Sequence, residues 1–382
     1  MKILVGSLTY PLANGVTTSI NTSVDGFVRA GHEIAIVAPR YAMGQVRPEH
    51  HPIVASPISR WFLSAMHKKE RMFGAAAAGE FADLISRFEP DAFWLHTLTW
   101  SENAFERLMK RSKKARVLTY HTMVEEYGRL YAGEAGARVM AHRSKTVANA
   151  MNAVITPSKV IAKRLAAYGV KKQIYVIPTG ISMPSNNFSR LELAARFHFS
   201  PASKILLYVG RVSKEKNITK LLTMCAPVLR QKTAVLLLVG PGDLDEAMAD
   251  AKSLGVENQV ICTGPLPKED TQRIYGGSDA FVFASQTETQ GLVIGEAMLA
   301  GTPVVALDSP IQPEVYPDSL AVVVRDENKY AVELEDALAN ESAKKRFAVK
   351  AKKFVEDNFS IKLMLNRQIS VFEKLVRSDG SP

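Results

Sequence analysis

The chain has 382 residues, of which 47% are hydrophobic and 23% are charged. The length is enough for two domains with full cores, and the composition is that of an ordinary globular protein. The two cysteines, Cys225 and Cys262, lie in apolar sequence and predict no disulfide framework. Neither a signal peptide nor a run long enough to cross a membrane is recognisable, so we expect a cytoplasmic protein.

The formal net charge of +10 is unevenly distributed. Residues 1–180 contain 24 basic and 13 acidic side chains, a balance of +11, whereas residues 181–382 have a balance of −1. A basic half indicates an anionic partner, which can be nucleic acid, anionic lipid or a polyanionic substrate. A surface that only increases solubility is the alternative.

The first 40 residues predict the start of a doubly wound parallel sheet. A buried strand at 2–5 precedes a loop, a helix at 18–30 and a second strand at 32–38. Ligands of such sheets bind at the carboxyl ends of the strands. We therefore expect the loop that contains Asn14 and Gly15 at the mouth of a binding site.

Residues 59–81 mix aromatic and basic side chains at helical spacing, among them Trp61, Phe62, Lys68 and Lys69. Such a helix can lie at a membrane interface, with its apolar face in the acyl boundary and its cations at anionic head groups. An ordinary amphipathic helix packed on the sheet is the alternative.

Further strands are predicted at 91–96 and 117–120, and His121 follows the second of them. After a linker at 183–187, a second alternation of strands and helices begins at Lys204. The chain therefore predicts two parallel α/β domains, with His121 at the binding edge of the first.

One strand–loop–helix–strand unit at 279–306 contains two glutamates. Glu288 lies in the loop, and Glu296 lies about one turn into a helix that Gly291 opens. Unpaired N–H groups of Gly291 and Leu292 would attract phosphate oxygens. Glu296 could hold both hydroxyls of a ribose and Glu288 those of a sugar, which predicts a sugar-nucleotide site. A merely solvated Glu296 is the alternative.

Two motifs resemble the donor site of the retaining GT-B glycosyltransferases (glycosyltransferase group 1, family 4). One is Glu288 and Glu296 with the following Ala-Met-x-Ala-Gly-x-Pro-Val-Val, and the other is Gly-Arg-Val-Ser-Lys-Glu-Lys-Asn at 210–217. The resemblance implies an α/β GT-B fold of two doubly wound Rossmann-like domains that face each other across a cleft. It places an acceptor-binding domain at 1–182, a nucleotide-sugar-binding domain at 183–360, and a helix at 361–382 that crosses back to the first.

The resemblance also implies roles for site residues. Arg211 and Lys216 would bind the donor diphosphate, which leaves no obvious need for a metal or other cofactor; surface salt bridges are the alternative. The implied catalytic residues are His121, Glu288, Arg211 and Lys216. The implied donor-binding residues are Gly15, Arg211, Lys216, Gly264, Leu266, Glu288, Gln290, Gly291, Leu292 and Glu296.

The string Tyr-His-Thr-Met-Val-Glu-Glu-Tyr at 120–127 and the loop at 287–292 resemble, more narrowly, the bacterial diacylglycerol glucosyltransferases. This implies transfer of glucose from UDP-glucose to diacylglycerol by an enzyme bound peripherally to the inner face of the cell membrane. A phosphoinositide, a polysaccharide or a small soluble acceptor is the alternative. A non-catalytic relative that binds sugar nucleotide or nucleic acid is disfavoured by the intact Glu288, Glu296, Arg211 and Lys216.

Overall fold

The computed structural model describes residues 1–12, 14–56, 71–74, 77–98, 102–183 and 186–379. The chain divides into two compact units, Met1–Gly180 with Ile361–Pro382, and Ile181–Ser360. Of the predicted amphipathic segment 59–81, residues 59–70, 75 and 76 lie outside the described residues, so its membrane contact stays a prediction.

Thirteen strands and fourteen α-helices lie in the described ranges. The strands are β1 Lys2–Gly6, β2 Glu33–Pro39, β3 His50–Ile53, β4 Ala92–Leu95, β5 Ala115–Thr119, β6 Ala153–Thr156, β7 Gln173–Val176, β8 Lys204–Val209, β9 Ala234–Val239, β10 Val260–Gly264, β11 Ala280–Phe283, β12 Val304–Leu307 and β13 Val322–Val324. The helices are α1 Gly15–Arg29, α2 Ala77–Phe88, α3 Ala104–Arg111, α4 Val124–Asn149, α5 Lys159–Ala167, α6 Arg190–Phe197, α7 Ile218–Arg230, α8 Leu244–Ser253, α9 Lys268–Ile274, α10 Leu292–Leu299, α11 Gln312–Val315, α12 Tyr330–Ala339, α13 Glu341–Asn358 and α14 Ile361–Asp379.

The first unit is built on a parallel sheet with the strand order β3-β2-β1-β4-β5-β6-β7. Its strands are nearly continuous apolar runs, such as the Ala-Phe-Trp-Leu of β4, because helices cover both faces of the sheet. Residues of α2, α3, α4 and α5 share the core on one face. Residues of α1 and α14 share the core on the other.

The C-terminal helix α14 packs on the sheet of the first unit. The ring of Phe372 lies 4.9 Å from the ring of Trp94 and 5.7 Å from that of Phe27, measured between centroids. Gly26 of α1 lets the two helices approach closely, because a Cβ there would lie 2.2 Å from Leu365 Cδ1. Helix α14 is therefore part of the core of the first unit.

The second unit repeats the arrangement with a parallel sheet of order β10-β9-β8-β11-β12-β13. Its buried side chains form one continuous cluster. The predicted class, α/β with two doubly wound parallel sheets, is confirmed. In the described part of the chain, no helix is long and apolar enough to cross a bilayer.

Candidate active site

Most of the predicted donor-binding residues lie beside one point of the second sheet. The strand order reverses between β8 and β11, so the segments that follow these two strands adjoin. Residues 210–217 follow β8, and the loop 285–290 with α10 follows β11. Open parallel sheets bind ligands outside the strand ends at such a reversal.

The two segments meet through an ion pair. Lys216 Nζ donates a hydrogen bond to Glu288 Oε1 at 2.7 Å. The two side chains are only 19% and 17% exposed, so the pair is partly withdrawn from water. Thr287 Oγ1 donates to the backbone oxygen of Glu215 at 3.1 Å and holds the same segments together. A donor diphosphate would have to compete with Glu288 for Lys216.

Arg211 lies in the same region, with Nη1 3.6 Å from Glu215 Oε1. Its backbone oxygen accepts a hydrogen bond from the hydroxyl of the buried Tyr208 at 2.9 Å. The guanidinium is half-buried, and the hydrogen bond from Tyr208 holds the backbone of Arg211 in place. Arg211 and Lys216 thus each lie near a carboxylate of the site itself.

Two glycines after β9 hold the arginine segment in place. A Cβ on Gly240 would lie 2.0 Å from the backbone oxygen of Gly210, and one on Gly242 would lie 2.0 Å from that of Val212. Val212 N donates a hydrogen bond to Pro241 O at 2.8 Å, so the segment after β8 is joined to the segment after β9. Sequence reasoning assigned no role to 240–243. The pair of glycines directly after a buried strand was the available signal of a close backbone approach.

Gly291 opens α10 in a left-handed conformation, with φ +70°. A side chain there would be strained, and its Cβ would lie 3.0 Å from Ile294 Cδ1. The first N–H groups of a helix have no partners inside the helix, and those of α10 begin at Leu292. Gln290, just before them, is buried.

Glu296 lies one turn into α10, as the spacing predicts. Its Oε2 accepts a hydrogen bond from the hydroxyl of Tyr275 at 2.8 Å. Burial raises the pKa of the Glu296 carboxyl, and the tyrosine bond acts against that rise. Tyr275 therefore orients the carboxylate. No local pattern in the sequence identifies Tyr275.

Gly264 is the last residue of β10 and Leu266 follows it, two strands away from β8. Strands in a sheet are about 5 Å apart, so these residues would contact a part of the ligand about 10 Å from the part at β8. Gly264 has φ +68°, and its backbone oxygen accepts a hydrogen bond from Gly240 N at 3.0 Å.

In the first unit, His121 is paired with a second histidine. His121 Nε2 lies 2.8 Å from His96 Nδ1, and the rings are stacked with centroids 5.1 Å apart. Burial lowers the pKa of His121 to about 4, so the ring is neutral at physiological pH. His96 directly follows β4, the neighbour of β5. His96 lies at the end of the strand predicted at 91–96, and this position could have identified it as a residue of the binding edge.

Gly15 is the first residue of α1, which begins three residues earlier than predicted. The reason is Asn14, whose Oδ1 accepts a hydrogen bond from Thr17 N at 2.8 Å and caps the helix. Gly15, His96 and His121 all lie beyond carboxyl ends of strands of the first sheet.

The string at 120–127 is largely occupied with contacts inside the first unit. Tyr120 donates from its hydroxyl to Glu125 Oε2 at 3.1 Å. Arg164 Nη1 donates to Glu125 Oε1 at 2.8 Å and to Glu126 Oε1 at 2.9 Å. Three polar members of the string therefore fix the start of α4 against α5.

Within the described ranges, no group of three or more His, Cys, Asp or Glu side chains is placed to hold a metal ion. Asp243 and Asp245 form an Asp-x-Asp pair at the exposed start of α8, so the expectation that the sequence contains no Asp-x-Asp motif is wrong. Asp245 lies in the first helical turn, where the helix dipole favours negative charge. The expectation that no metal is needed stays a prediction.

Comparison with known proteins gives matches along most of the chain. Residues 190–354 match the family Glycosyl transferases group 1, and residues 13–183 match Glycosyltransferase Family 4. The chain is 30% identical over 313 residues to an alpha-monoglucosyldiacylglycerol synthase of Streptococcus pneumoniae, covering 79% of this chain and 69% of that one. It is 24% identical to a GDP-mannose-dependent alpha-mannosyltransferase of Mycolicibacterium smegmatis, covering 78% and 77%. The structure resembles that of a sucrose-phosphate synthase from Thermosynechococcus elongatus, with a TM-score of 0.82, 18% identity and coverage of 99% and 100%.

Proposed function

The chain belongs to the group 1 glycosyl transferases, and on that basis we propose that it transfers glucose from UDP-glucose to diacylglycerol, with retention of the anomeric configuration. The observation that carries the proposal is the Lys216–Glu288 pair at the strand reversal of the second sheet. It brings together the residues implied for the diphosphate and for the sugar. In this proposal Glu296, oriented by Tyr275, holds the ribose.

Donor binding would separate Lys216 from Glu288 and give each side chain a new partner on the ligand. A diphosphate brings two negative charges to Arg211, Lys216 and the N–H groups at the start of α10. Lys216 then turns from Glu288 to a phosphate oxygen, and Glu288 becomes available to hydroxyls of the glucose. Lys216 then has the charge of the ligand as its partner, and Glu288 accepts hydrogen bonds from the glucose hydroxyls in place of the one from the lysine.

In the proposed transfer step, the residues that bind the diphosphate also stabilise it as the leaving group. The bond between the glucose C1 and the diphosphate oxygen breaks, and a bond from C1 to the acceptor oxygen forms on the same face. The acceptor proton passes to the departing diphosphate oxygen. Arg211, Lys216 and the N-terminus of α10 stabilise the charge that grows there, a contribution that is usually the largest in such sites. The neutral His121 positions the sugar.

The acceptor is proposed from three supports. The relative from Streptococcus pneumoniae is named for synthesis of a glucosyldiacylglycerol, and the string at 120–127 resembles the same group. The +11 balance of residues 1–180 fits an enzyme held peripherally at an anionic membrane on its cytoplasmic side. The second candidate, a mannosyl transfer from GDP-mannose, has the support of the mycobacterial relative.

A donor and acceptor screen tests the proposal. Released nucleotide is measured with UDP-glucose, UDP-galactose and GDP-mannose, each with diacylglycerol vesicles, a soluble inositol phosphate or no acceptor. We expect the fastest release from UDP-glucose with diacylglycerol. A preference for GDP-mannose, or release that is indifferent to the lipid, would overturn the proposal.

A further inference from the structure

The histidine pair of the first unit contains a buried nitrogen without a partner. His96 is 3% exposed, and its Nε2 has no hydrogen-bond partner in the described part of the chain. Its other nitrogen, Nδ1, lies 2.8 Å from His121 Nε2. Burial lowers the pKa of both imidazoles, so two neutral rings share this contact. One ring therefore has to donate the hydrogen bond and the other has to accept it.

The contact has the geometry of a hydrogen bond in the ring planes. The planes of the two imidazoles differ by 16°, and their centroids are 5.1 Å apart. The two nitrogens lie close to the line that joins the ring centres, because this separation is close to the nitrogen distance plus two ring radii. An N–H of one ring can thus point straight at the lone pair of the other.

His96 is held in place by the core of the first unit. Its backbone N–H donates to Gly6 O at 3.0 Å. Its ring packs on that of the fully buried Trp94, with centroids 4.6 Å apart. Trp94 Nε1 in turn donates to Thr119 Oγ1 at 2.7 Å, which ties β4 to β5. The position of the His96 ring is set by these contacts, so His96 orients His121 and not the reverse.

The unpartnered Nε2 of His96 decides which ring donates. If His121 donated, the proton of His96 would lie on Nε2, as a buried N–H without an acceptor. If His96 donates from Nδ1, its Nε2 is a bare nitrogen and the proton of His121 lies on Nδ1. Buried acceptors with unused lone pairs are more common in native proteins than buried N–H groups without an acceptor. The second arrangement is therefore favoured.

We infer that His96 is a positioning residue that holds His121 as a hydrogen-bond donor. The Nδ1–H of His96 occupies the lone pair on His121 Nε2, so His121 offers an N–H from Nδ1 outside the pair. An oxygen of the transferred sugar is an acceptor of the kind that this N–H takes. The arrangement also excludes His121 as a general base, because neither of its nitrogens keeps an unused lone pair. The contact with the sugar rests on the proposed function, whereas the placement of the protons does not.

NMR of protein labelled with 15N at its eight histidines tests the proton placement without donor or acceptor. Long-range 15N–1H correlation distinguishes a protonated ring nitrogen from a bare one. The signals of His121 are identified by their loss in His121→Gln. At neutral pH we expect a proton on His121 Nδ1 and a bare Nε2. A proton on His121 Nε2 in the wild type would overturn the inference.

Two substitutions separate the hydrogen bond of His96 from the volume of its ring. Asn places an amide near the position of Nδ1 and can still donate, whereas Leu fills similar space and cannot. We expect His96→Leu to lower kcat by about 10-fold, the loss typical of one hydrogen bond, and to change KM for UDP-glucose by less than about 3-fold. His96→Asn should keep kcat within about 3-fold of the wild type. Equal losses in the two folded variants would reject the positioning role.

A third substitution reverses the direction of the bond. The carboxylate of His96→Asp only accepts, so His121 would have to donate to it from Nε2. We expect the His121 proton to appear on Nε2 in the NMR spectrum, and kcat to fall at least as far as in His96→Leu. Wild-type turnover in a folded His96→Asp protein would contradict the inference. If this variant does not fold, the comparison of Leu with Asn still decides.

His50 provides a matched control. It is also buried with an unpartnered Nε2, but it lies on β3, four strands away from β5 in the sheet. His50→Leu should lower Tm, and should leave kcat per folded protein within about 2-fold and the His121 signals unchanged. A loss of kcat equal to that of His96→Leu would show that general destabilisation is the cause.

Failure of the inference and failure of the proposed function have different signatures. A wild type that has the expected His121 protons but transfers no glucose would reject the proposed function and leave the role of His96 standing. The kcat comparison is then made with the donor that the screen identifies. A wild type that transfers glucose with the proton on His121 Nε2 would have the opposite meaning.

Discussion

At the scale of single residues, Lys216 and Glu288 cannot be treated as independent. Their charged atoms are 2.7 Å apart and their side chains are mostly buried. Removal of one partner leaves the other charge uncompensated, which costs more than the loss of one contact with the ligand. Substitutions at the two positions should therefore interact.

We expect Lys216→Ala to lower turnover by at least about 100-fold, the loss typical of removing one preorganised donor to a developing anion. Glu288→Gln should also lower turnover more than it changes KM, because the position of the sugar matters most at the reaction centre. The double variant should lose less than the product of the two single losses, because neither charge is then left alone. Initial rates over a range of UDP-glucose concentrations measure all three. Independent, multiplicative losses of kcat/KM would show that the pair does not couple the two residues in the free enzyme.

Glu296 serves as the control position, because its neighbour is Tyr275 and not the ion pair. A ribose contact is present in both the ground state and the transition state, so Glu296→Gln should mainly raise KM. A loss of turnover like that of Glu288→Gln would contradict the separate roles of the two glutamates.

Residue-level prediction from the sequence singled out the groups that stand in recognisable local patterns. Glu288, Glu296, Arg211 and Lys216 were assigned roles from their spacing and its resemblance to a known signature, and those roles stay predictions. Tyr275 was missed, and His96 was given no role although it ends a predicted strand, because each contacts a site residue that is distant in the chain. Such pairs depend on which strands and helices become neighbours, which the local sequence does not state.

At the scale of elements, the segments after β8, β9 and β10 are connected to one another through their backbones. Gly242 has φ +145°, and a Cβ there would lie 2.0 Å from the backbone oxygen of Val212. The contact cannot be relieved by a side-chain rotation, because the clashing atom belongs to the backbone. The arginine segment would have to move.

We expect Gly242→Ala to lower Tm by about 5 °C or more and to lower activity by a larger factor than the loss of folded protein explains. Gly255→Ala is the matched control, since Gly255 also has positive φ but a Cβ there would meet no atom within 4 Å. Thermal unfolding and initial rates measure both variants. Equal effects of the two substitutions would show that backbone conformation alone, and not the close approach, determines the result.

Elements were predictable where burial imposes a simple pattern. The parallel strands are continuous apolar runs, and their order in the chain predicts the doubly wound sheets. The start of α1 was misplaced because Asn14 acts as a helix cap as well as a loop residue. Helix α4 folds back at Ala132 and Gly133, where the backbone leaves the helical conformation. This was not predicted, because the close approach of Gly136 to the backbone oxygen of Gly128 exists only after the two segments have packed together.

At the scale of the whole molecule, the family and the GT-B fold follow from the chain, whereas the acceptor does not. Relatives named for a diacylglycerol product and for GDP-mannose share the matched sequence. Function depends on sites added to a fold, and the acceptor site has no signature as compact as that of the donor. The uneven charge of the chain, +11 in residues 1–180 and −1 in residues 181–382, is the feature that bears on the acceptor.

The most direct test of the central claim is the structure of the product. The protein is incubated with UDP-glucose and diacylglycerol vesicles, and the lipid is extracted for mass determination and for the NMR coupling of its anomeric proton. We predict a monoglucosyldiacylglycerol with the α configuration of the donor, formed in amounts that fall at least about 100-fold with Lys216→Ala. A β-linked lipid, or glucose found only on water-soluble acceptors, would contradict the account.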